Sequence, residues 1–90
     1  MDFQVIDNAD AHRFEIRVDG ELAGGAYYKL HENGDIVFTH TEVEPQFEGQ
    51  GVGSKLANGA LTLAKDRGLT IVAQCPFIAA YLKRHPEYLR

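Results

Sequence analysis

The sequence predicts a mixed α/β (α+β) domain: an antiparallel meander of about four strands, one crossover helix, a fifth strand parallel to the fourth, and a C-terminal helix. Three observations support this prediction. The hairpin signals Asp19-Gly20 and Asn33-Gly34 separate alternating segments in the first half of the chain. In the second half, apolar residues recur at helical spacing over residues 52–67. A strand, a helix and another strand in this order imply a right-handed crossover and a locally parallel pair.

The meander is predicted strand by strand from the N-terminus. We expect a short first strand over residues 3–6, closed by a polar turn at 7–10. The segment 12–18 alternates, with its apolar residues on one face and its charged residues on the other. The third strand, 22–30, contains a glycine pair that suggests a bulge, and the fourth strand covers 35–43.

A long helix, a buried strand and a short helix are predicted for the second half. Gly68 is a natural C′ residue and ends the long helix. Residues 69–73 form an apolar run, as expected of a buried strand. Pro76 suits the first position of the last helix, which we expect to end near Arg84 because the residue before Pro86 avoids helical geometry. The predicted apolar stripe of the long helix is Val52, Leu56, Ala60, Leu63 and Ala64. The predicted stripe of the last helix is Phe77, Ala80, Tyr81 and Arg84.

Size and charge limit the possible functions. Ninety residues are enough for one domain, which we place at 1–90, and leave no room for a second. The net charge is −4 without a basic run, so nucleic-acid binding is disfavoured. No stretch approaches the roughly 20 apolar residues of a membrane span, and the first residues do not resemble an export signal. The four histidines have no metal-site spacing, and Cys75 is the single cysteine. We therefore expect a cytoplasmic protein without a metal or a disulfide, present as a monomer or a weak homodimer.

The segment 48–54 lies between a predicted strand and a predicted helix and contains three alternating glycines. Glycine lets a ligand approach the main chain, and the helix start directs unpaired N–H groups and its positive dipole end into the loop. These features predict a receptor for an anion, most simply a phosphate. The spacing excludes the dinucleotide fingerprint G-x-G-x-x-G. Its last glycine would be Ser54 if the motif began at Gly49, and Leu56 if it began at Gly51. It also excludes the Walker loop, because Lys55 follows Ser54 instead of preceding it. The alternative is a glycine-rich turn that only packs a helix against a sheet.

Four stretches carry a resemblance to a known family: residues 40–43, 47–56, 75–77 and 85–88. The second stretch resembles the acetyl-CoA pyrophosphate loop of the GNAT-type N-acetyltransferases, usually written Arg/Gln-x-x-Gly-x-Gly/Ala. Together, the four stretches are similar to the small, single-domain, YjdJ-like members of that superfamily. The resemblance implies a minimal GNAT-like fold. This minimal fold lacks the helices that larger relatives insert between the first two strands, and it lacks the pair of strands with which their sheet ends.

The resemblance also implies where the acetyl donor, acetyl-CoA, is held. Its pantetheine arm is expected to pair with the edge of the fourth strand at Thr41, Glu42 and Val43. Its pyrophosphate is expected on the loop residues Glu48, Gly49, Gln50, Gly51, Val52, Gly53 and Ser54. Glu48 stands where the family prefers Arg or Gln. We therefore expect Glu48 to contribute its backbone N–H while its side chain points to solvent.

Three residues are candidates for the chemistry of acetyl transfer. Cys75 lies where the last helix begins, so it can accept the acetyl group, act as an acid or base, or be a small buried side chain. His40 is two residues beyond Phe38, so we expect both on one face of the sheet. His40 is either a packed residue or a general base, and Glu42 can orient it or be the base itself. Tyr81 is a core residue by default, but it resembles the tyrosine with which many GNAT enzymes protonate CoA.

We therefore expect an acetyl-CoA-dependent N-acetyltransferase whose acceptor is an amine on a small molecule or on a protein. The alternative is a non-catalytic CoA or acetyl-CoA binding module that acts through a partner protein. A purely structural α/β domain would leave unexplained why the loop, the Cys-Pro-Phe stretch and the C-terminal stretch occur together.

Overall fold

Five strands form one sheet, in the order β1-β2-β3-β4-β5, in the computed structural model, which describes residues 2–89. The strands are β1 (Phe3–Asn8), β2 (Arg13–Val18), β3 (Glu21–Leu30), β4 (Asp35–Val43) and β5 (Thr70–Ala73). The helices are α1 (Val52–Asp66) and α2 (Pro76–Arg84), and 3-10 turns cover Ala9–Ala11, Pro45–Phe47 and Pro86–Leu89. Strands β1 to β4 pair antiparallel in chain order, whereas β5 is parallel to β4. This arrangement confirms the predicted fold class.

The β2–β3 hairpin follows from its turn residues. Asp19 and Gly20 have positive φ angles of 51° and 85°, as a type I′ turn requires. The reversal before β2 comes later than predicted. Asp7 and Asn8 pair with β2, so β1 is longer than the four residues that its apolar pattern indicated.

A bulge at Thr39 reverses the side-chain alternation of β4. Tyr28 pairs with Phe38 and Tyr27 pairs with His40, so Thr39 is the extra residue in the β3–β4 register. Phe38 is fully buried in the core, whereas the His40 ring lies 5.8 Å from the Tyr27 ring on the opposite face. The prediction that His40 shares the face of Phe38 is therefore wrong, because the alternation does not continue through the bulge.

The two helices pack on one face of the sheet, and the apolar core lies between. The largest fully buried side chains are Phe14, Phe38, Ile16, Ile36, Leu56, Leu61, Ile78 and Val52. The buried stripe of α1 is wider than predicted, because Ala57 and Leu61 are fully buried while Leu63 is half-buried. The helix ends as expected, since Gly68 has a positive φ of 74°.

Helix α2 begins at Pro76 and ends at Arg84, as predicted, but it buries a different face. Its buried residues are Ile78, Tyr81 and Leu82. Phe77, predicted on the buried stripe, is 38% exposed, and Ala80 is exposed as well. The buried side chain of Cys75 fixes the start of this nine-residue helix against the core, and this sets which face points inwards.

Strand β5 is an edge strand, whereas its apolar run predicted a buried one. Ile71 is its one buried residue, because no strand of the described chain follows on its outer side. The ladder with β4 ends at Phe38, whose carbonyl accepts from the N–H groups of Gln74 and Cys75 at 2.9 and 3.0 Å. Residues 40–43 of β4 thus pair with β3 alone among the described residues, and we call them the open edge.

The second face of the sheet carries no helix in the part of the chain that the structure describes, and we call it the bare face. His40, Tyr27 and Arg13 lie on it, as does Glu15, which is only 3% exposed. None of the described helices is both long and apolar enough to cross a membrane.

Candidate active site

Two of the loop glycines have a conformation that other residues avoid. Gly49 and Gly51 have φ angles of 81° and 75°, in the left-handed region. A Cβ atom at either position would meet no heavy atom within 4 Å. The need for glycine at these positions is therefore conformational, and the space beside the main chain is open.

The same loop presents a row of unpaired donors. Within residues 2–89, no protein acceptor is found for the six backbone N–H groups from Gly49 to Ser54. The first backbone hydrogen bond of α1 joins the Lys55 N–H to the Gly51 carbonyl at 3.2 Å. Unpaired N–H groups at the positive end of a helix dipole fit an anion such as a pyrophosphate. Gln50 and Ser54 are exposed, whereas the Val52 side chain is in the core.

Glu48 does not offer its N–H group to this row. The Glu48 N–H donates to the Pro45 carbonyl at 3.2 Å, which closes the 3-10 turn before the loop. The expectation that this N–H contributes to the anion site is wrong, because a local turn already uses it. Its side chain is exposed, as expected.

The third glycine has a different function. Gly53 is inside α1 with helical geometry, and a Cβ atom there would lie 2.8 Å from Cζ of Phe77. Glycine therefore makes room for an aromatic ring from the first turn of α2. Sequence reasoning missed this contact, although Phe77 belongs to the Cys-Pro-Phe stretch and its exposure makes it available to a ligand.

The open edge separates two groups of side chains. Thr41 and Val43 point towards the helices, and His40 and Glu42 lie on the bare face. A chain that pairs with this edge would therefore have Thr41 on one side and His40 on the other. The bulge at Thr39 decides which of these residues lie on which side.

Cys75 lies on the helix side of the open edge. It is 3% exposed, and its thiol donates to Oγ1 of Thr41 at 3.3 Å. Its N–H group is bound to Phe38, so both its backbone and its side chain are fixed against β4. The structure thus brings Cys75 to one of the predicted pantetheine-binding residues.

His40 and Glu42 form a pair on the bare face. Nε2 of His40 lies 3.3 Å from Oε2 of Glu42, which is the orienting contact predicted from sequence. Their side chains are 64% and 51% exposed. The Tyr27 hydroxyl donates to Oε1 of Glu42 at 3.2 Å. His40 is therefore accessible from solvent and held from one side.

An ion pair that the sequence reasoning missed lies behind Tyr27. Nη1 of Arg13 donates to the Tyr27 hydroxyl at 2.7 Å, and Nε and Nη2 of Arg13 contact Oε2 of Glu15 at 2.7 and 2.6 Å. Burial alone would raise the pKa of Glu15, but hydrogen bonds from Asn8 and Arg13 and the charges of Arg13 and Arg17 outweigh it and lower the pKa. The hydrogen bonds to Glu15 and Tyr27 raise the pKa of Arg13. Both members of the pair are thus charged. The alternation of Arg13, Glu15 and Arg17 along one face was the available sequence signal.

Tyr81 lies in the core, as its default interpretation holds. It is 6% exposed, and its ring stacks on His85 at 4.3 Å and lies 6.2 Å from the Tyr88 ring. Burial, followed by the proximity of Tyr88, raises the pKa of Tyr81. The C-terminal stretch 85–88 therefore covers this tyrosine. The Tyr88 hydroxyl in turn hydrogen-bonds Asn58 of α1.

The bare face also contains a cavity of about 460 Å³ next to Tyr27. His12 and Thr39 are among its other lining residues. His12 has a positive φ of 56°, which is uncommon for a residue with a side chain. The described residues contain no cluster of three or more side chains that could hold a metal ion.

Comparison with known proteins assigns this arrangement to a class of transferases. A model of the GCN5-related N-acetyltransferases matches residues 13–90, and the chain belongs to this family. Enzymes of the family use acetyl-CoA as the acetyl donor. No curated protein sequence matches the chain significantly.

Solved structures of acetyltransferases share the fold. The NMR solution structure of a GCN5-like protein from Staphylococcus aureus is 27% identical with a TM-score of 0.69, and the match covers 94% of this chain and 82% of the other. The ribosomal-protein-alanine N-acetyltransferase of Brucella melitensis is 20% identical (TM-score 0.58), with 87% of this chain and 61% of the other covered. Nourseothricin acetyltransferase is 23% identical (TM-score 0.52), with 90% and 65% covered. The chain thus spans less than two thirds of these last two proteins, for which the likeness concerns the fold alone.

Proposed function

We propose that this protein is an acetyl-CoA-dependent N-acetyltransferase that transfers an acetyl group to an amine on a small molecule or a protein. One observation carries the proposal. The six unpaired N–H groups from Gly49 to Ser54 follow directly after the open edge 40–43, in a chain that belongs to an acetyltransferase family. An anion receptor beside an open strand edge fits a ligand that combines a pyrophosphate with an amide-containing arm.

The donor is held by main-chain groups. The pyrophosphate accepts from N–H groups between Gly49 and Ser54, and the acidic Glu48 side chain stays in solvent. The pantetheine arm pairs with the open edge at Thr41, Glu42 and Val43. The exposed ring of Phe77, which packs over Gly53, forms one wall of the donor site.

The reaction needs two proton movements around one bond exchange. The nitrogen lone pair of the amine attacks the thioester carbonyl carbon, an N–C bond forms, and the C–S bond breaks with its electrons on sulfur. His40 takes the proton that the amine loses, because its imidazole is exposed on the bare face beside the open edge. A protonated side chain on the helix side neutralises the departing CoA thiolate. The two groups regain their starting protonation states from solvent between turnovers.

Cys75 and Tyr81 are the two candidates for the donor of the second proton. The thiol of Cys75 is bonded to Thr41 at the open edge, which favours it on proximity. The raised pKa of Tyr81 keeps its hydroxyl protonated at neutral pH, but His85 and Tyr88 cover its ring. We assign the role to Cys75 and keep Tyr81 as the alternative. Because Cys75 is buried, we do not assign to it a covalent acetyl intermediate.

The acceptor approaches from the bare face. The exposed His40–Glu42 pair and the neighbouring cavity of about 460 Å³ lie there, and no described helix covers them. Formal net charge is −4, which favours the approach of a cationic amine. Such an amine gives up one proton to solvent before its lone pair attacks, and the proton that His40 takes is the one lost as the amide forms.

Thermal unfolding with and without acetyl-CoA tests the donor site. Ligand at about 100 times its dissociation constant stabilises the folded state by roughly 2.7 kcal/mol. We expect Gly51→Ala to weaken binding about tenfold, about 1.4 kcal/mol, because its φ of 75° strains an alanine. Gly34→Ala is the matched control, since Gly34 has a φ of 93° and equally open surroundings at the distant β3–β4 turn. Equal affinities of the two variants, or no stabilisation by acetyl-CoA, would contradict the proposed donor site.

Intact-mass measurements of amines incubated with acetyl-CoA test the transfer. We expect an acetylated product whose formation falls in His40→Gln and Cys75→Ser. Stabilisation by acetyl-CoA without any product over a broad panel of amines would favour the alternative, a non-catalytic CoA-binding module that acts through a partner protein.

A further inference from the structure

A chain of hydrogen bonds crosses the bare face from β2 to β4. It joins Glu15, Arg13, Tyr27, Glu42 and His40, and we call it the bare-face chain. Each link connects side chains on the same strand or on adjacent strands. It begins at the buried carboxylate of Glu15 and ends at an exposed imidazole beside the open edge.

Arg13 fixes the direction of the hydrogen bonds that follow it in the bare-face chain. A guanidinium group can only donate, so the Tyr27 oxygen accepts from Arg13 at 2.7 Å. The single proton of the Tyr27 hydroxyl is then left for Oε1 of Glu42, at 3.2 Å. Arg13 itself cannot turn away, because two of its nitrogens are bound to the Glu15 carboxylate.

The same polarity continues to the imidazole. Oε2 of Glu42 is an acceptor, so the His40 nitrogen 3.3 Å away must be the donor. In neutral His40 the proton therefore resides on Nε2, and Nδ1 carries the free lone pair. The charged and titratable groups around this imidazole are Glu42 on its own strand, Tyr27 on β3 and, behind Tyr27, Arg13 on β2.

We propose that Glu15, Arg13 and Tyr27 are positioning residues that hold His40 in its Nε2–H tautomer, with Nδ1 free to accept the proton of the incoming amine. This inference rests on the proposed role of His40 as the general base. The amine nitrogen gives up its proton to Nδ1 as its lone pair forms the bond to the acetyl carbon, and Glu42 stabilises the imidazolium that results.

The burial of Glu15 explains why the chain is rigid at one end. Its carboxylate contacts Asn8 at 3.1 Å, Arg13 at 2.6 Å and Arg17 at 3.7 Å, and it is 3% exposed. A buried carboxylate that binds two nitrogens of Arg13 holds one geometry, whereas a surface pair such as His40–Glu42 would otherwise sample several. Because Tyr27 is bound to Arg13 at one end and to Glu42 at the other, it holds the Glu42 carboxylate in one position beside His40.

Nitrogen-15 NMR of the ligand-free protein tests the tautomer without any need for activity. At alkaline pH, where the imidazole is neutral, the two ring nitrogens report which one carries the proton. Comparison with His40→Gln assigns the signals of His40 among the four histidines. We expect the Nε2–H form in the native protein and a mixture of tautomers in Tyr27→Phe, which keeps the ring but removes the hydroxyl link.

Tyr28→Phe is the matched control. Tyr28 is adjacent in sequence, but its hydroxyl donates to Asp7 at 2.5 Å on the helix side of the sheet. We expect this variant to leave the tautomer of His40 unchanged. In the transfer assay, Tyr27→Phe is expected to lower kcat by about tenfold, a fraction of the effect of a general base, with KM for acetyl-CoA unchanged.

The outcomes separate this inference from the proposed function. A native protein with the Nδ1–H tautomer, or a tautomer that Tyr27→Phe does not alter, overturns the inference even if acetyl transfer occurs. An altered tautomer with an unaltered kcat also overturns it. A native protein whose Nε2–H tautomer is lost in Tyr27→Phe but which acetylates no amine instead supports the positioning chain and refutes the function of His40 as a base.

Discussion

The two faces of the sheet are held by different forces, although the same strands supply both. The helix face is stabilised by apolar volume, with Phe14, Phe38 and Leu56 fully buried. The bare face is stabilised by directional contacts, in which Tyr27 links the Glu15–Arg13 ion pair to the exposed His40–Glu42 pair. The adjacent Tyr27 and Tyr28 illustrate the contrast, since one belongs to the bare-face chain and the other packs in the core.

This difference shows why the candidate site lies at the open edge of β4. The packed helix face provides the Cys75 thiol and a fixed backbone, and the solvent-exposed bare face provides the accessible imidazole of His40. A donor bound along the edge would meet both without either being moved. Changes on the two faces should therefore have different effects, and four predictions follow this contrast from the largest effect on stability to the smallest.

Leu56→Ala removes apolar volume from the helix face. The free energy of unfolding should fall by about 2–5 kcal/mol, because Leu56 is fully buried and its loss leaves a cavity. The loss should be the same at neutral and at mildly acidic pH, since no titratable group is involved. Urea unfolding at both pH values measures it. A loss that varies strongly with pH would mean that the two faces are not energetically separate.

Glu15→Gln removes a charge from the bare face while keeping the shape of the side chain. We expect a loss of about 1–3 kcal/mol, between the values for exposed and fully buried pairs. The folded pKa of Glu15 lies below its ordinary value, so the unfolded chain binds more protons in acid. The stabilisation is therefore present above the ordinary glutamate pKa of about 4.3 and is lost as pH falls through the lowered folded pKa.

Urea unfolding over an acidic pH series should show the difference between Glu15→Gln and the native protein shrinking towards low pH. Glu32→Gln, which removes a carboxylate from an exposed turn, is the control. A constant difference between native protein and Glu15→Gln at all pH values would contradict the assigned ion pair.

The ionisation of Tyr28 tests how a titratable group on the helix face contributes to stability. Burial, and then its hydrogen bond to Asp7, raises the pKa of Tyr28 to about 12. This stabilisation should be complete below the ordinary tyrosine pKa of about 10 and should be lost as pH rises towards 12. Ultraviolet difference spectra should therefore show one late-ionising tyrosine fewer in Tyr28→Phe than in the native protein, in which the pKa of Tyr81 is raised as well. That variant should lose about 1 kcal/mol at neutral pH, because Asp7 keeps its ion pair with Arg67.

Gly53→Ala should change the free energy of unfolding least. Alanine favours the helix by about 1 kcal/mol, but its Cβ displaces the Phe77 ring, so we expect the two effects to cancel. Acetyl-CoA binding should weaken, because the displaced ring no longer forms the wall of the donor site. In Phe77→Ala, the same glycine substitution should become stabilising. Additive effects of the two changes would show that ring and glycine do not interact.

The fold was largely predictable, because its determinants are local. The turn Asp19-Gly20, the start of α1 after the glycine loop and the end of α2 before Pro86 all depend on neighbouring residues. The exposure of β5 was not predictable, since an apolar run is the same in an edge strand and in a central one. Its position depends on what the rest of the chain leaves uncovered.

The candidate site was only partly predictable. The spacing of residues along the chain predicts the loop at 48–54 and the contact of His40 with Glu42. It does not predict on which face of the sheet His40 lies. Thr39 carries no sequence mark of a bulge, and period 2 assumes a regular ladder. Glu15 escaped notice because a glutamate in an alternating strand is expected in solvent, and its burial depends on three partners from two strands.

The bulge at Thr39 has a consequence for how this protein can vary over evolutionary time. Deleting Thr39, the extra residue, would restore a regular alternation after Phe38, in which His40 and Glu42 keep the bare face and Thr41 keeps the helix side. A strand of unchanged length without the bulge would instead turn the imidazole and the carboxylate inwards and the threonine outwards. The faces of the site thus depend on the number of residues in β4 as well as on their kinds. Loss of Thr39 together with its bulge should therefore be tolerated better than loss of the bulge alone.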